Sequence, residues 1–262
     1  MDLEAVKRVG IAAAYKGGAT LRSFFGSISE VKKKGPVELV TEADTASERV
    51  IIKTIGQAFP EHGILAEESG LKGGGKGFQW IIDPLDGTTN FAHQVPFFCI
   101  SIAFAIDDDI AVGIVLNPVN GELFMATKGR GATLNGRAIG VSAVKSVADS
   151  LLVTGFPYNR KEILDILLAR FSNCLNVAQG IRRLGSAALD LCFVACGRFE
   201  GFWEQHLKPW DVAAGALIAQ EAGATITDFS NRPFTMTNKE ILSTNGKIHE
   251  DMLSLLKIEE PI

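Results

Sequence analysis

The chain has 262 residues, 47 % apolar and 21 % charged, with a formal net charge of −4. That length allows one large α/β domain or two small ones with ample core, and the composition is that of an ordinary globular protein. No long basic run offers a nucleic-acid footprint, no apolar stretch reaches a membrane span, and the acidic start Met1-Asp2-Leu3-Glu4 lacks a signal-peptide pattern, so a soluble protein of the cytoplasm is expected.

Leu3, Val6, Gly10, Ala13, Gly17, Leu21 and Phe24 recur at three- and four-residue steps and predict an amphipathic helix. The run Lys32-Lys33-Lys34-Gly35-Pro36 then reads as a basic, solvated loop. Thr41, Glu42, Ala43 and Asp44 have capping-box spacing before a helix carrying Val50, Ile51, Thr54, Ile55 and Ala58, ended by Pro60 and Gly63. A short strand at 63–66 delivers Glu67 and Glu68 to its end. The glycine-rich run 73–77 lacks the Gly-Lys-Ser/Thr ending of a P-loop and reads as a loop. From Phe97 to Ile139, turn signals at 107–109, 117–121, 128–131 and 135–136 fall at strand spacing, which predicts hairpins.

Beyond about Ser150 strands and helices alternate. Strands are expected at 151–153, 181–184, 199–203, 225–229 and 241–243. Helices are expected through Ile163, Leu167 and Phe171, from Ser186 to Cys196, from Asp211 onward and at the end. Such alternation predicts a mostly parallel sheet. The chain thus divides into an antiparallel-sheet half, roughly 1–148, and an α/β half, 149–262, within one domain. The four cysteines (Cys99, Cys174, Cys192, Cys196) contain no Cys-x-x-Cys and lie in apolar surroundings, so buried free thiols are expected rather than zinc or disulfides.

The stretch 80–90 (Trp-Ile-Ile-Asp-Pro-Leu-Asp-Gly-Thr-Thr-Asn) carries the chemistry. Three apolar residues read as the end of a buried strand, and Pro84 predicts that the strand stops at Asp83. Gly87 lets the backbone approach a ligand, while Thr88 and Thr89 are candidate caps of a helical turn whose N–H groups face an anion. Asp83 and Asp86 are harder to explain as turn stabilisers, since a turn needs one acid. Glu67, at a strand end, and Asp211, in Pro209-Trp210-Asp211 at a helix start, are candidate partners. Taken alone, Asp211 reads as a helix cap and Glu67 as a surface residue.

If these acids converge, two like charges about 4 Å apart cost on the order of 4 kcal/mol at an effective dielectric of 20. Cations or large pKa shifts must then compensate. Carboxylate, carbonyl and water ligation favours Mg²⁺, with Mn²⁺ next. Two such ions polarise a phosphoryl oxygen, activate a water and neutralise the leaving alkoxide, with Thr88 and Asp44 aligning that water. No histidine triad or Gly-x-Ser-x-Gly elbow suggests serine catalysis, and Ser186 reads as an N-cap.

These residues resemble the inositol monophosphatases, within the lithium-sensitive, Mg²⁺-dependent phosphatase superfamily. The stretch 80–90 is similar to that family's first signature and 209–223 (Pro-Trp-Asp-Val-Ala-Ala-Gly-Ala-Leu-Ile-Ala-Gln-Glu-Ala-Gly) to its second. Residues 39–44, 66–69, 185–191 and 202–204 match in order and spacing. The resemblance implies a layered α-β-α-β-α sandwich, the sugar-phosphatase fold, in a protein that is usually a dimer. It implies Mg²⁺-dependent hydrolysis of inositol monophosphates, with two or three ions per site held by Glu67, Asp83, the Leu85 carbonyl, Asp86 and Asp211, and with inhibition by Li⁺.

By the same resemblance Thr88, with Asp44 behind it, orients the attacking water. Gly87 and Thr88 N–H groups hold the phosphate. Gly185, Ser186 and Ala187 line the inositol pocket, Glu204 accepts from ring hydroxyls, and Arg183 and Lys34 stand near substrate and metal. Lys208 replaces the histidine of animal-type members, Ala224 replaces the second glycine of a Glu-Ala-Gly-Gly ending, and 185–191 is closer to bacterial members. The rival readings are another small phosphomonoester, fructose 1,6-bisphosphate or 3′-phosphoadenosine 5′-phosphate, and a non-catalytic regulatory protein on the same fold. A glycosidase use of the paired acids is weaker still.

Overall fold

The computed structural model describes residues 1–27, 31–33, 39–74, 77–157 and 160–258. In chain order these form α1 (Leu3–Phe24), β1 (Val31–Lys33), β2 (Leu39–Thr41), α2 (Glu42–Ala58), β3 (Gly63–Ala66), β4 (Gly70–Lys72), β5 (Phe78–Asp86) and α3 (Thr88–Ala92). The hairpin region supplies β6 (Cys99–Ile106), β7 (Asp109–Asn117), β8 (Glu122–Thr127), β9 (Ala132–Leu134) and β10 (Arg137–Ala138). Then come β11 (Leu151–Thr154), α4 (Leu164–Leu175), β12 (Gly180–Arg182), α5 (Ala187–Ala195), β13 (Gly201–Gln205), α6 (Pro209–Glu221), β14 (Thr225–Thr227), β15 (Glu240–Thr244) and α7 (His249–Leu256).

Five layers result. The first helix, capped by Asp2 through the Glu4 and Ala5 N–H groups, lies with α2 on the outer face of an eight-stranded sheet ordered β10-β9-β8-β7-β6-β5-β3-β4. The middle layer is α5 and α6, whose small residues permit close packing: a Cβ added to Gly215 would lie 2.9 Å from Leu191, and one on Gly113 of β7 would lie 2.7 Å from the Ala214 carbonyl. The five-stranded sheet, β12-β11-β13-β15-β14, follows, and α4 and α7 cover its far face. One core cluster draws on both sheets and the helices between them, including Ile81, Val115, Leu191, Phe202, Ala214 and Ile241. The layered α/β architecture expected from the sequence is present.

Several boundaries differ from the sequence reading, for local reasons. The parallel character expected of the whole C-terminal half is confined to β11, β12 and β13; β15 pairs antiparallel with both β13 and β14, making the sheet mixed. The basic run expected as a loop begins in β1, because Lys32 and Lys33 pair with Val40 and Leu39. Lys34, Gly35 and Pro36 lie outside the described residues, as do Gly75 and Lys76 of the glycine-rich run. The last described helix of the second signature starts at Pro209, two residues before Asp211, since proline at N1 lacks only an N–H that the helix leaves unbonded.

The largest difference concerns β5. It does not stop at Asp83 but runs through Pro84 to Asp86. Asp83 pairs with Ser101 and Asp86 with Cys99, so one extra residue is inserted as a bulge between them. A proline is tolerated there because its missing N–H falls where the ladder is interrupted.

Candidate active site

The β5 bulge decides where the two aspartates point. In an unbroken strand, residues three apart face opposite sides. Here the inserted residue resets the alternation, and both acids stand opposite Ser101 and Cys99, which share one face of β6. Asp83 and Asp86 therefore both look toward the middle helices, where Ser101 Oγ donates to the Trp210 carbonyl at 3.2 Å, beside Asp211. Glu67 arrives from β3, whose parallel ladder with β5 extends one bond further through Glu67 N–H to the Ile82 carbonyl, 3.1 Å.

Beyond Asp86 the chain turns at Gly87 (φ 99°), a conformation and a space that a side chain would not accept: a Cβ would lie 3.0 Å from the Phe97 carbonyl. Gly87, not a threonine, is the residue preceding α3. The threonines were expected as caps, but Thr88 is the first helical residue and uses its hydroxyl otherwise. Thr88 Oγ1 lies 3.1 Å from Asp44 Oδ1 and 3.0 Å from the Leu85 carbonyl. Asp44 is fully buried at the start of α2, where its Oδ2 accepts from the Thr41 N–H (2.8 Å) and hydroxyl (2.6 Å) and completes the expected capping box.

The C-terminal half supplies the other wall. Ser186 is the N-cap of α5, as expected, accepting from the Leu189 N–H, and its hydroxyl also donates to Asp86 Oδ2 at 2.7 Å. The Ala188 N–H donates to the same oxygen at 2.8 Å, so one Asp86 oxygen sits at the positive end of α5. Asp211 is in the first turn of α6 and accepts from the Lys208 N–H at 2.7 Å, so its reading as a cap holds while its carboxylate still borders the site. Glu204, the penultimate residue of β13, packs against Gly155, where a Cβ would come within 2.0 Å of its Oε2.

Glu67, Asp83, Leu85, Asp86, Gly87, Thr88, Arg183, Gly185, Ser186, Ala187, Glu204 and Asp211 line one cleft of about 1320 Å³ between the halves. Asp44 stands behind Thr88. Every sequence-predicted site residue within the described chain is thus brought together; Lys34 lies outside it.

The acids disturb one another. Burial, with the charges of Glu67, Asp86 and Asp211, pushes the Asp83 carboxyl well above the carboxylate range against a single N–H from Leu85. Burial also raises Asp211, with Asp86, Glu67 and Glu204 adding to it, and raises Asp86 to about 6 despite the Ser186 hydroxyl and the α5 N–H groups. Glu204 is pushed up to about 8 by burial, with Arg183 opposing and Asp86 reinforcing. Among the described residues no three such side chains converge on one coordination point. Asp83, Asp86 and Asp211 are each held by donors of their own neighbourhood: the Leu85 N–H, the Ser186 hydroxyl with the Ala188 N–H, and the Lys208 N–H. A donor set made of carboxylates and a carbonyl, with more negative charge than Arg183, Lys208 and Lys239 offset, fits a hard divalent cation.

Some residues were missed in the sequence. Asn90 Nδ2 donates to the Phe97 and Leu184 carbonyls, both at 2.8 Å, and so fixes the 183–186 loop against the β5 turn. Phe156 and His206 also line the cleft. Ser47 and Glu48 reach it from behind; their spacing from Asp44, three and four residues along one helix, was the available signal. Asp190 in α5 is buried with both oxygens lacking a partner among the described residues, and burial with Glu204 and Asp86 nearby pushes its carboxyl well up. The available signals were its place as the one charged residue of an otherwise apolar helix and inside the matched stretch 185–191.

The cleft thus gathers carboxylates and a helix start from both halves of the chain, and the chain as a whole is similar to known proteins. The inositol monophosphatase family model matches residues 2–260. An inositol-1-monophosphatase of Synechocystis sp. is 46 % identical over 257 residues, covering 97 % of this chain and 90 % of that protein. A protein of Pseudomonas aeruginosa named Nus factor SuhB is 43 % identical, covering 89 % and 88 %. The crystal structure of an extragenic suppressor protein suhB from Bartonella henselae superposes with a TM-score of 0.94 at 39 % identity, covering 98 % and 100 %. The chain belongs to the inositol monophosphatase family, a family of metal-dependent phosphomonoester hydrolases.

Proposed function

We propose that this protein hydrolyses inositol monophosphates with Mg²⁺, and that the residues above carry out the reaction. The observation that carries the reading is the placement of Thr88 and Asp44, 3.1 Å apart, behind a cleft where acids from both halves meet. Glu67, Asp83, the Leu85 carbonyl, Asp86 and Asp211 hold the ions, two or three per site, and Mn²⁺ fits the same donors. When bound, Mg²⁺ supplies the positive charge that polarises the phosphoryl group and makes a water nucleophilic.

The chain's own groups do the rest. The Thr88 hydroxyl gives its one proton to Asp44 or the Leu85 carbonyl, which leaves its oxygen lone pairs to accept from a water in the cleft. Asp44 orients that hydroxyl and takes on its proton; its own carboxyl is raised by burial while the Thr41 donors hold it down. The N–H groups of Gly87 and Thr88, at the start of α3, face the phosphate. Glu204 and the 185–187 turn, opposite Asp86, contact the polyol, and Arg183 stands over Phe156 at 6.0 Å from its ring centroid.

A second phosphate on the substrate would need a basic cluster. Arg182, adjacent to Arg183, is exposed, bonds its own strand through the Ile181 carbonyl and does not line the cleft. The adjacent-arginine pair is therefore not available to a second phosphate, and the basic groups that do line the cleft are Arg183, Lys208 and Lys239. The non-catalytic reading is disfavoured because every acid of the proposed site and the Thr88–Asp44 pair are in place. Partner and location follow from the same reading: a cytoplasmic homodimer. Support for a dimer is the exposed row Leu164, Leu168 and Leu175 on α4, next to the open edge of the sheet at β12. Among the described residues no helix is long and apolar enough to cross a membrane.

The test is a substrate panel with Mg²⁺, with EDTA and with Li⁺. Inositol 1-phosphate should be turned over faster than fructose 1,6-bisphosphate or 3′-phosphoadenosine 5′-phosphate, and Asp86→Asn should abolish turnover. Preference for either bisphosphate overturns the substrate; activity in EDTA overturns the metal.

A further inference from the structure

The second helix has one continuous buried face, Asp44, Ser47, Glu48, Ile51 and Ile55. Its apolar end joins the outer core, and its polar end touches three separate pieces of the cleft. Asp44 reaches Thr88. Ser47 Oγ donates to the Pro84 carbonyl at 3.0 Å. Glu48, only 4 % exposed, accepts the Glu68 N–H at 2.8 Å. Neither Ser47 nor Glu48 lines the cleft or touches a reacting group.

The Glu68 amide is the one that follows Glu67. The turn it belongs to, residues 67–69, is closed by Gly70 at φ 69° and leads into β4, an edge strand whose Leu71 and Lys72 are exposed. On its ladder side the turn is held through Glu67 N–H and the Ile82 carbonyl; on the other side Glu48 holds it. Repulsion from Asp83 pushes on the Glu67 carboxylate in the absence of a cation. Ser47 does the matching work on the β5 bulge: it holds the Pro84 carbonyl against α2, while the next carbonyl, that of Leu85, accepts from the Thr88 hydroxyl at the cleft.

We propose that Glu48, assisted by Ser47, is a positioning residue of the metal site: it fixes the 67–69 turn against α2 so that Glu67 stands at the right separation from Asp83 and Asp86. The proposal rests on the metal reading above. A carboxylate is the suitable acceptor because a buried amide left unbonded is costly, whereas a charge-assisted bond is short and stiff. The helix thus presets a spacing that the acids, left to their charges, would widen.

The experiment is Mn²⁺ binding to the full-length protein, followed by the EPR signal of free Mn²⁺, together with kcat at saturating Mn²⁺. Glu48→Leu should weaken Mn²⁺ binding about tenfold or more, the usual cost of losing an outer hydrogen bond at a metal site. Glu48→Gln keeps an acceptor and should stay within about threefold of wild type, and kcat at saturating Mn²⁺ should change little in either. Wild-type affinity in Glu48→Leu overturns the proposal, as does equal weakening in Glu48→Gln, which would make the role one of charge alone. If Glu48→Leu does not fold, Glu48→Asp decides: its retracted carboxylate should bind Mn²⁺ more weakly than Glu48→Gln, and equality overturns the proposal. Asp83→Asn serves as reference. Undiminished Mn²⁺ binding there defeats the metal reading itself, whereas weak binding there with a normal Glu48→Leu defeats only the positioning role.

Discussion

Asp83 and Asp228 are equally inaccessible, each 2 % exposed, yet they are set up in opposite ways. Asp83 lies in the cleft between the sheets, facing three further acids, with one N–H to hold it. Asp228 lies in the turn after β14. Burial pushes its carboxyl up too, but the N–H groups of Ser230 and Arg232 and the Arg232 guanidinium, at 2.6 to 2.9 Å, outweigh this and leave it below the usual value. The difference teaches which acids serve the fold and which are a cost to it. A carboxylate surrounded by donors stabilises its turn; one surrounded by carboxylates is tolerated only for what it binds.

The largest expected effect breaks the comparison at Asp83. Asp83→Asn keeps the acceptor for Leu85 N–H but removes a charge. Turnover should fall by at least about 1000-fold, equivalent to about 4 kcal/mol of transition-state stabilisation. The metal-free protein should nevertheless melt about 2–4 °C higher, the shift expected for about 1 kcal/mol of relieved repulsion. In wild type, Mg²⁺ at about 100 times its Kd should add about 2.7 kcal/mol of stability. Asp83→Asn should lose that gain, as calorimetry with and without Mg²⁺ will show.

Asp228→Ala should do the reverse. It removes the shared acceptor of two turn N–H groups and of the exposed Arg232, so stability should fall by about 1 kcal/mol in urea unfolding, while kcat and KM stay within about twofold.

A further contrast comes through pH. Asp228 has a folded pKa below its ordinary 3.8, so its contribution is complete above that value and is lost as pH falls through the folded pKa. Glu204 has a folded pKa of about 8 against an ordinary 4.5, so the fold holds the extra proton, and metal-free stability is lost as pH rises from 4.5 toward 8. Melting curves should therefore show Glu204→Gln gaining on wild type between pH 5 and 8. Asp228→Asn should close its deficit only below pH 4. Equal pH profiles for the two variants would contradict the contrast.

The sequence by itself determined much of this protein. Apolar periodicity placed α1 and α2, turn residues placed the hairpins, and the capping-box spacing at Thr41–Asp44 appeared as read, because each is a local preference with few competing solutions. The two signatures named Asp83, Asp86, Asp211 and Thr88, and the shorter matches at 39–44, 66–69 and 202–204 named Asp44, Glu67 and Glu204. The layering, the β5 bulge and the mixed sheet were decided elsewhere. Asp83 and Asp86 share a face only because β6 holds β5 in register on both sides of an inserted residue, and a proline in the sequence signals an end more readily than a bulge. Glu48 and Asp190 are acids on helices; spacing from Asp44 and an otherwise apolar helix point to burial, but which group each meets depends on what packs across from it. Side-chain identity fixed the chemistry available, while pairing across a hundred residues, as between Asp86 and Ser186, fixed the distances at which that chemistry works.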